Sequence, residues 1–306
     1  MTLMNARSPL SRRGMLTVGA GAVLAGALPT SARAATTRGE EAVIRQLREL
    51  EEQHAARLGV YAQDTATGRV VRYRAQERFP VCSTFKTLAA AAVLHHLDTD
   101  GRFLAKRVHY TEKDTTDSGY APVTAKPENL ANGMTVAELC AATISQSDNA
   151  AGNLLLRELG GPSAITRYCR SIGDRTTRLD RWEPELNSAE PDRVTDTTSP
   201  SAIGRTYARL VLGDVLTPPD RRRLTGWLKA TTTGAAKLRA GLPADWVVAD
   251  KTGGGKYGTN HDVGLVWPPG RAPLVMAVLT TRHAPDALPD NALIARTATL
   301  LSNALA

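Results

Sequence analysis

Five short strand-like runs sit at the two ends of this chain, and a long helix-rich stretch separates them. Leu58-Gly59-Val60-Tyr61-Ala62 and Val70-Val71-Arg72-Tyr73 flank the turn cluster Asp64-Thr65-Ala66-Thr67-Gly68, a pattern that reads as a hairpin. The other three runs, Trp246 to Ala249, Val263 to Trp267 and Leu274 to Thr280, come only near the far end. An amphipathic helix is expected from Glu41 to Arg57, with Val43, Ile44, Leu47 and Leu50 on one face. A closing helix is expected from Asn291 to Leu305, with Leu293, Ile294, Thr297, Leu300 and Leu301 on one face. Strands this far apart share one sheet only if the chain ends meet. The expected class is therefore α+β: an antiparallel sheet of about five strands, flanked by helices and built from both ends, with an all-helical domain inserted. The expected boundaries are 35–75 and 225–306 for the sheet domain and 76–224 for the helical domain. Leu88 to Leu97, Thr135 to Ser145 and Ala150 to Leu159 are its clearest helices.

Residues 1–34 read as a removable leader. They carry Arg7, Arg12, Arg13 and Arg33 and no acid, then the apolar run Val18 to Leu28, then Ala32-Arg33-Ala34 as a small-residue cleavage site. The run is too short for a bilayer, which needs about 20 residues. Ser11-Arg12-Arg13-Gly14-Met15-Leu16 resembles a twin-arginine export signal, so a secreted or periplasmic destination is expected. Removing the leader lowers the formal charge from +8 to +4 over 272 residues. That charge is too mild to argue for nucleic acid, and no dense basic run carries interleaved aromatics. Cys82, Cys140 and Cys169 lack metal-ligand spacing and read as buried small hydrophobes. The six histidines are scattered, so neither a metal nor a cofactor is expected, and the mature chain is expected to be a monomer without a membrane span.

Four polar segments could carry chemistry. Ser83-Thr84-Phe85-Lys86 places a hydroxyl and an amine one helical turn apart, where a desolvated lysine can activate the serine. Backbone N–H groups at that helix start would suit a developing oxyanion. Ser147-Asp148-Asn149 lies between two helical stretches and could supply a relay hydroxyl and an amide, or simply cap the second helix. Glu183-Pro184-Glu185-Leu186-Asn187 sits in an aperiodic stretch from Arg181 to Pro200. A carboxylate with an amide four residues on can hold one water, although an acidic surface loop looks the same. Arg181 and Asp196 could tie the neck of that loop as a weak exposed pair. Lys251-Thr252-Gly253-Gly254-Gly255 follows a strand and offers a docking point for a carboxylate, with glycines that let a ligand reach the backbone.

Each segment alone has an ordinary structural explanation, but their order is specific: SxxK, SDN, an ExxxN segment, then KTG. In this set the sequence resembles the class A active-site serine β-lactamases, over essentially the whole mature chain. The resemblance implies the serine β-lactamase and penicillin-binding-protein fold and hydrolysis of penicillin- and cephalosporin-type antibiotics through an acyl-serine. It implies Ser83 as nucleophile, Lys86 and Glu183 as alternative acylation bases, and Ser147 as proton donor to the lactam nitrogen. The N–H groups of Ser83 and Gly254 would form the oxyanion hole. Asn149, Asn187, Lys251, Thr252, Gly253 and Tyr120 would contact substrate or water, and Glu183 with Asn187 would position the deacylating water. A cis Glu183–Pro184 bond is also implied.

Two departures stand out. Asn260 occupies the place where many relatives carry an arginine for the substrate carboxylate, and Lys237 is expected to supply the missing charge. Cys82 lacks the partner cysteine that some relatives carry just past KTG, where this chain has Gly255; Cys140 likewise faces Ala90 in the pattern, so free thiols are implied. The rival readings are a penicillin-interacting carboxypeptidase or transpeptidase, a serine glutaminase and a non-hydrolytic β-lactam sensor. Glu183 with Asn187 speaks for hydrolysis, and the export signal speaks against a glutaminase. No stretch of 18 apolar residues supplies a sensor's membrane anchor.

Overall fold

The computed structural model describes residues 30–305, with side chains from Gly39 onward. The arginine pair and apolar run of the leader lie outside the described residues; the expected cleavage site falls in the backbone of the first helix, α1 (Thr30–Gln53). The left-handed Ala55 (φ 46°) ends that helical path, so the expected extension to Arg57 is replaced by the start of a strand. β1 (Arg57–Asp64) and β2 (Val70–Tyr73) form the hairpin. Near the other end β7 (Val247–Gly254), β8 (Asn260–Trp267) and β9 (Leu274–Thr281) complete a five-stranded antiparallel sheet in the order β2-β1-β9-β8-β7. The register Val60↔Val278 and Thr252↔Asp262 ties the two chain ends into one sheet.

Strand alternation sends side chains to two cores. Leu58, Val60 and Ala62 of β1 join Met276 and Val278 of β9 under α1 and α10 (Asn291–Leu305), where Leu47, Leu293, Ile294 and Leu301 are buried. Tyr61, Ala277, Leu265 and Val263 face the opposite core with α2 (Phe85–Ala92). Each large aliphatic buried this way contributes about 1.5–3 kcal/mol. Because both faces are covered, the central strands read as continuous apolar runs.

Between the strands the chain makes β3 (Phe79–Pro80), α2, β4 (Arg107–Val108), α3 (Glu112–Asp117), α4 (Pro127–Asn132), β5 (Met134–Thr135), α5 (Val136–Ser145), α6 (Asn149–Leu159) and α7 (Ser163–Ser171). Then come β6 (Thr197–Thr198), α8 (Pro200–Val211) and α9 (Pro218–Lys229). The helix expected over Leu88 to Leu97 begins earlier, at Phe85, and widens into a π turn at Val93–Leu97. α8 packs on the sheet itself: a Cβ on Gly204 would lie 2.7 Å from the Tyr61 ring. One apolar core therefore runs without a break from α5 and α6 to the sheet, and Arg38–Ala306 forms one compact unit. Among the described residues no helix is long and apolar enough to cross a membrane.

Candidate active site

β3 and β6 pair as Phe79↔Thr198 and Pro80↔Thr197, and Val81 N–H donates to Asp196 O at 2.8 Å. This holds the chain in place for a tight 3-10 turn, Cys82–Thr84, entered through the left-handed Cys82 (φ 41°). Ser83 therefore stands on the turn that leads into α2 rather than inside the α-helix. Tyr207 Oη donates to Thr84 O at 2.8 Å and fixes the turn from α8. A Cβ on Gly253 would lie 3.2 Å from Thr84 Cγ2, so β7 passes directly against the turn. Ser83 is 8% exposed.

Lys86, on the first turn of α2, is wholly buried. Its Nζ donates to Asn149 Oδ1 at 2.6 Å and Ser147 O at 2.7 Å, lies 3.4 Å from Ser147 Oγ, and forms an ion pair with Glu183 Oε1 at 3.1 Å. Burial pulls the Lys86 pKa below the ordinary lysine value, and the Glu183 carboxylate opposes that pull.

Ser147 occupies the left-handed region (φ 58°), which turns the chain between α5 and α6. Its hydroxyl accepts from Lys251 Nζ at 3.0 Å. Asp148 is the N-cap of α6: its carboxylate accepts from Ala151 N at 2.8 Å and from Val123 N and Thr124 N at 2.9 Å. The Asn149 amide is more committed than expected, since it donates to Ser118 O at 2.9 Å while its oxygen holds Lys86. Asn149 N–H also donates to the carbonyl of Tyr120 at 2.7 Å, leaving the half-exposed Tyr120 ring at the cleft mouth.

The loop from Arg181 to Asp196 carries the carboxylate. Asp196 is buried, unlike the exposed partner expected, because three donors converge on it: Asp180 N at 2.6 Å, Arg181 N at 3.0 Å and Arg181 Nε at 2.5 Å. The Glu183–Pro184 bond is cis. Asn153, one helical turn beyond Asn149 on the same face of α6, grips the backbone of Glu183 on both sides: Glu183 N donates to its oxygen at 3.0 Å, and its amide donates to Glu183 O at 2.9 Å. The sequence reading missed Asn153; its i, i+4 relation to Asn149 was the available signal. Asn187 Nδ2 donates to Glu183 Oε2. Glu183 Oε1 and Asn187 Oδ1 remain buried acceptors with no aligned donor among the described residues.

KTG lies within β7, not beyond the end of a strand, because the ladder to β8 continues to Gly254↔Asn260. The wholly buried Lys251 donates to Thr252 O at 2.9 Å as well as to Ser147. Burial, and then the positive charges of Lys86 and Lys237, hold its pKa well below that of a free lysine. Tyr120, Ser147, Lys237, Thr252, Gly254 and Asn260 share a cleft of about 350 Å³. Lys237 Nζ donates to His261 O at 3.3 Å, while Asn260 Nδ2 donates to Asn291 Oδ1 at 3.0 Å. The three thiols are free and buried; a Cβ on Gly255 would lie 3.1 Å from Cys82 Sγ. A larger hollow of about 620 Å³ lies behind the loop, but its arginines are mostly paired, as in Arg57–Glu77 and Arg193–Glu190, and no serine, cysteine or lysine lines it.

This geometry has close counterparts. Residues 42–305 match the model of the β-lactamase enzyme family. A β-lactamase of Streptomyces lavendulae is 67% identical over 296 residues, 96% of this chain and 97% of its own. One from Kitasatospora aureofaciens is 61% identical over 98% of both chains. The solved β-lactamase of Streptomyces albus G superposes with a TM-score of 0.86 at 61% identity, covering 86% of this chain and 99% of that one. An ancestral class A β-lactamase gives 0.81 at 52%, over 86% of this chain and 99% of its own. The chain belongs to the β-lactamase enzyme family, within its class A serine branch.

Proposed function

We propose that this β-lactamase opens its substrate in two covalent half-reactions, with Ser83 as nucleophile and Glu183 as the base that frees it. The overall reaction, hydrolysis of the β-lactam amide, goes with the family. In the first half, Ser83 Oγ attacks the lactam carbonyl carbon and yields its proton to Lys86 or, across a water, to Glu183. The C–N bond breaks, and the nitrogen takes a proton from Ser147, which Lys86 and Lys251 bracket. The N–H groups of Ser83 and Gly254 are suited to hold the oxyanion, each such donor being worth about 3–4 kcal/mol. Lys251, Thr252 and Lys237 supply hydroxyl and charge for the substrate carboxylate, Gly253 lets it approach β7, and Asn149 and Tyr120 flank the acyl side chain.

In the second half, water adds to the ester carbonyl and Ser83 leaves with a proton. The observation that carries this reading is the pair of buried acceptors Glu183 Oε1, met only by the ion-paired Lys86 amine, and Asn187 Oδ1, which receives no donor from the described residues. A water donating one hydrogen to each satisfies both and turns its lone pair outward. We further infer that the leader exports the folded chain and that the mature enzyme acts as a monomer conferring β-lactam resistance. Intact-mass measurement during exposure to benzylpenicillin tests the first half. Ser83→Ala is expected to show no adduct and no hydrolysis above background, and any covalent adduct on that variant overturns the assignment.

A further inference from the structure

Two buried acids beside the cleft are not used by the chemistry above. Thr252 on β7 pairs with Asp262 on β8, and Asp250 lies two residues from Thr252, so the acids are diagonal neighbours on one sheet face. Both are wholly buried. Asp250 Oδ1 accepts from Arg239 Nε at 2.8 Å, and Asp262 Oδ2 accepts from Leu238 N at 3.1 Å. Their other oxygens, Asp250 Oδ2 and Asp262 Oδ1, receive no donor from any described residue. The two carboxyl groups are within hydrogen-bonding reach of each other.

Two ionised carboxylates do not persist side by side in a site without solvent, whereas one proton between them gives each orphan oxygen a partner. The same two acids anchor the residues that follow Lys237: Leu238 is held by Asp262 and Arg239 by Asp250. Lys237 itself forms no ion pair within 4.0 Å among the described residues, and it lines the cleft together with Thr252 and Asn260.

We propose that Asp250 and Asp262 share one proton and act as a single monoanion that positions Lys237 and leaves its charge free for the substrate carboxylate. Two full negative charges would offset Lys237 together with Arg239 and Lys251, the cations that face the pair. A single one is matched by Arg239, which touches Asp250 directly. Burial, reinforced by the neighbouring Asp250 charge, pushes the Asp262 carboxyl well above the usual range, in the direction this requires. The inference rests on the reading of Lys237 as a carboxylate-binding group, and it makes the acids positioning residues.

Infrared spectroscopy of the unaltered protein at neutral pH should show the carbonyl stretch of a buried protonated carboxylic acid, absent from Asp262→Asn. Asp262→Leu, which offers no donor to Asp250, should raise KM for benzylpenicillin about tenfold with little change in kcat. Asp262→Asn, whose amide can donate to Asp250, should bring KM back to within about threefold of the parent. Absence of the band from the unaltered protein overturns the proposal, as does an asparagine variant no better than the leucine one. If the leucine variant does not fold, the band alone decides. The band does not depend on turnover: a protein that hydrolyses benzylpenicillin but lacks it refutes the acid pair and leaves the proposed function standing.

Discussion

Replacing Glu183 by alanine separates the two half-reactions, because the carboxylate touches both Lys86 and the place proposed for the water. Lys86 and Glu183 form their contact at 3.1 Å with both side chains fully buried. Removing one partner of such a pair commonly costs about 3–5 kcal/mol, since it strands a charge. Here burial already pulls the lysine pKa down, and Glu183 is the largest influence holding it up. Without Glu183 that pKa falls further, which favours the neutral amine, while Ser147 O and Asn149 Oδ1 still accept from it. The stranded charge disappears, and the expected loss of stability falls to about 1–2 kcal/mol. A neutral Lys86 is also a competent base for Ser83, so acylation continues. Release does not, because a positioned general base contributes about 10²–10⁴-fold. Rapid mixing with a chromogenic cephalosporin should give a burst of one equivalent and then turnover at least about 100-fold slower than the parent. The quenched protein should gain the mass of one opened β-lactam. Steady turnover within about tenfold of the parent, or no adduct at all, would refute the reasoning.

Three further outcomes follow from the geometry. Asp196→Ala deprives three converging donors of a buried acceptor, and about 3 kcal/mol of stability should go with it, read by urea unfolding, together with a lower kcat as the loop neck loosens. An unchanged midpoint would show that Arg181–Asp196 is dispensable. The alkaline limb of kcat/KM should lie below the ordinary lysine value, because Lys251 loses its proton early. Lys237→Ala removes one of the cations that lower the Lys251 pKa, so the limb should move to higher pH as KM rises about 10- to 100-fold; a limb that stays put contradicts the assignment. Gly241→Ala would push a Cβ to 1.9 Å from Ala295 O, forcing α10 outward at a cost of about 2–3 kcal/mol, visible as a lower Tm.

The sheet and the four reactive segments were legible because each rests on local rules. Apolar runs at both ends reveal strands, and Ser83 with Lys86 or Glu183 with Asn187 are close in sequence. What stayed hidden depends on contacts across the fold. Nothing local marks Asp196 as buried, since its donors come from a segment about 15 residues earlier. Asp250 and Asp262 become neighbours only once β7 and β8 pair. The limit of KTG's strand was misplaced because glycines weaken strand propensity, whereas the ladder to β8 keeps Gly253 and Gly254 extended. The bonds of Asn149 to Lys86 and Ser118 were equally hidden, because an asparagine at a helix start shows no partner in sequence.

β1 lies between β2 and β9, and its eight residues pair along the whole of a strand more than 200 positions later. A chain emerging from the ribosome can close the first hairpin at once, yet its second edge waits for almost the last segment to be made. Contacts of such long range slow folding. Loss of the final quarter of the chain would therefore leave an aggregation-prone fragment with an open strand edge, not a weakened enzyme.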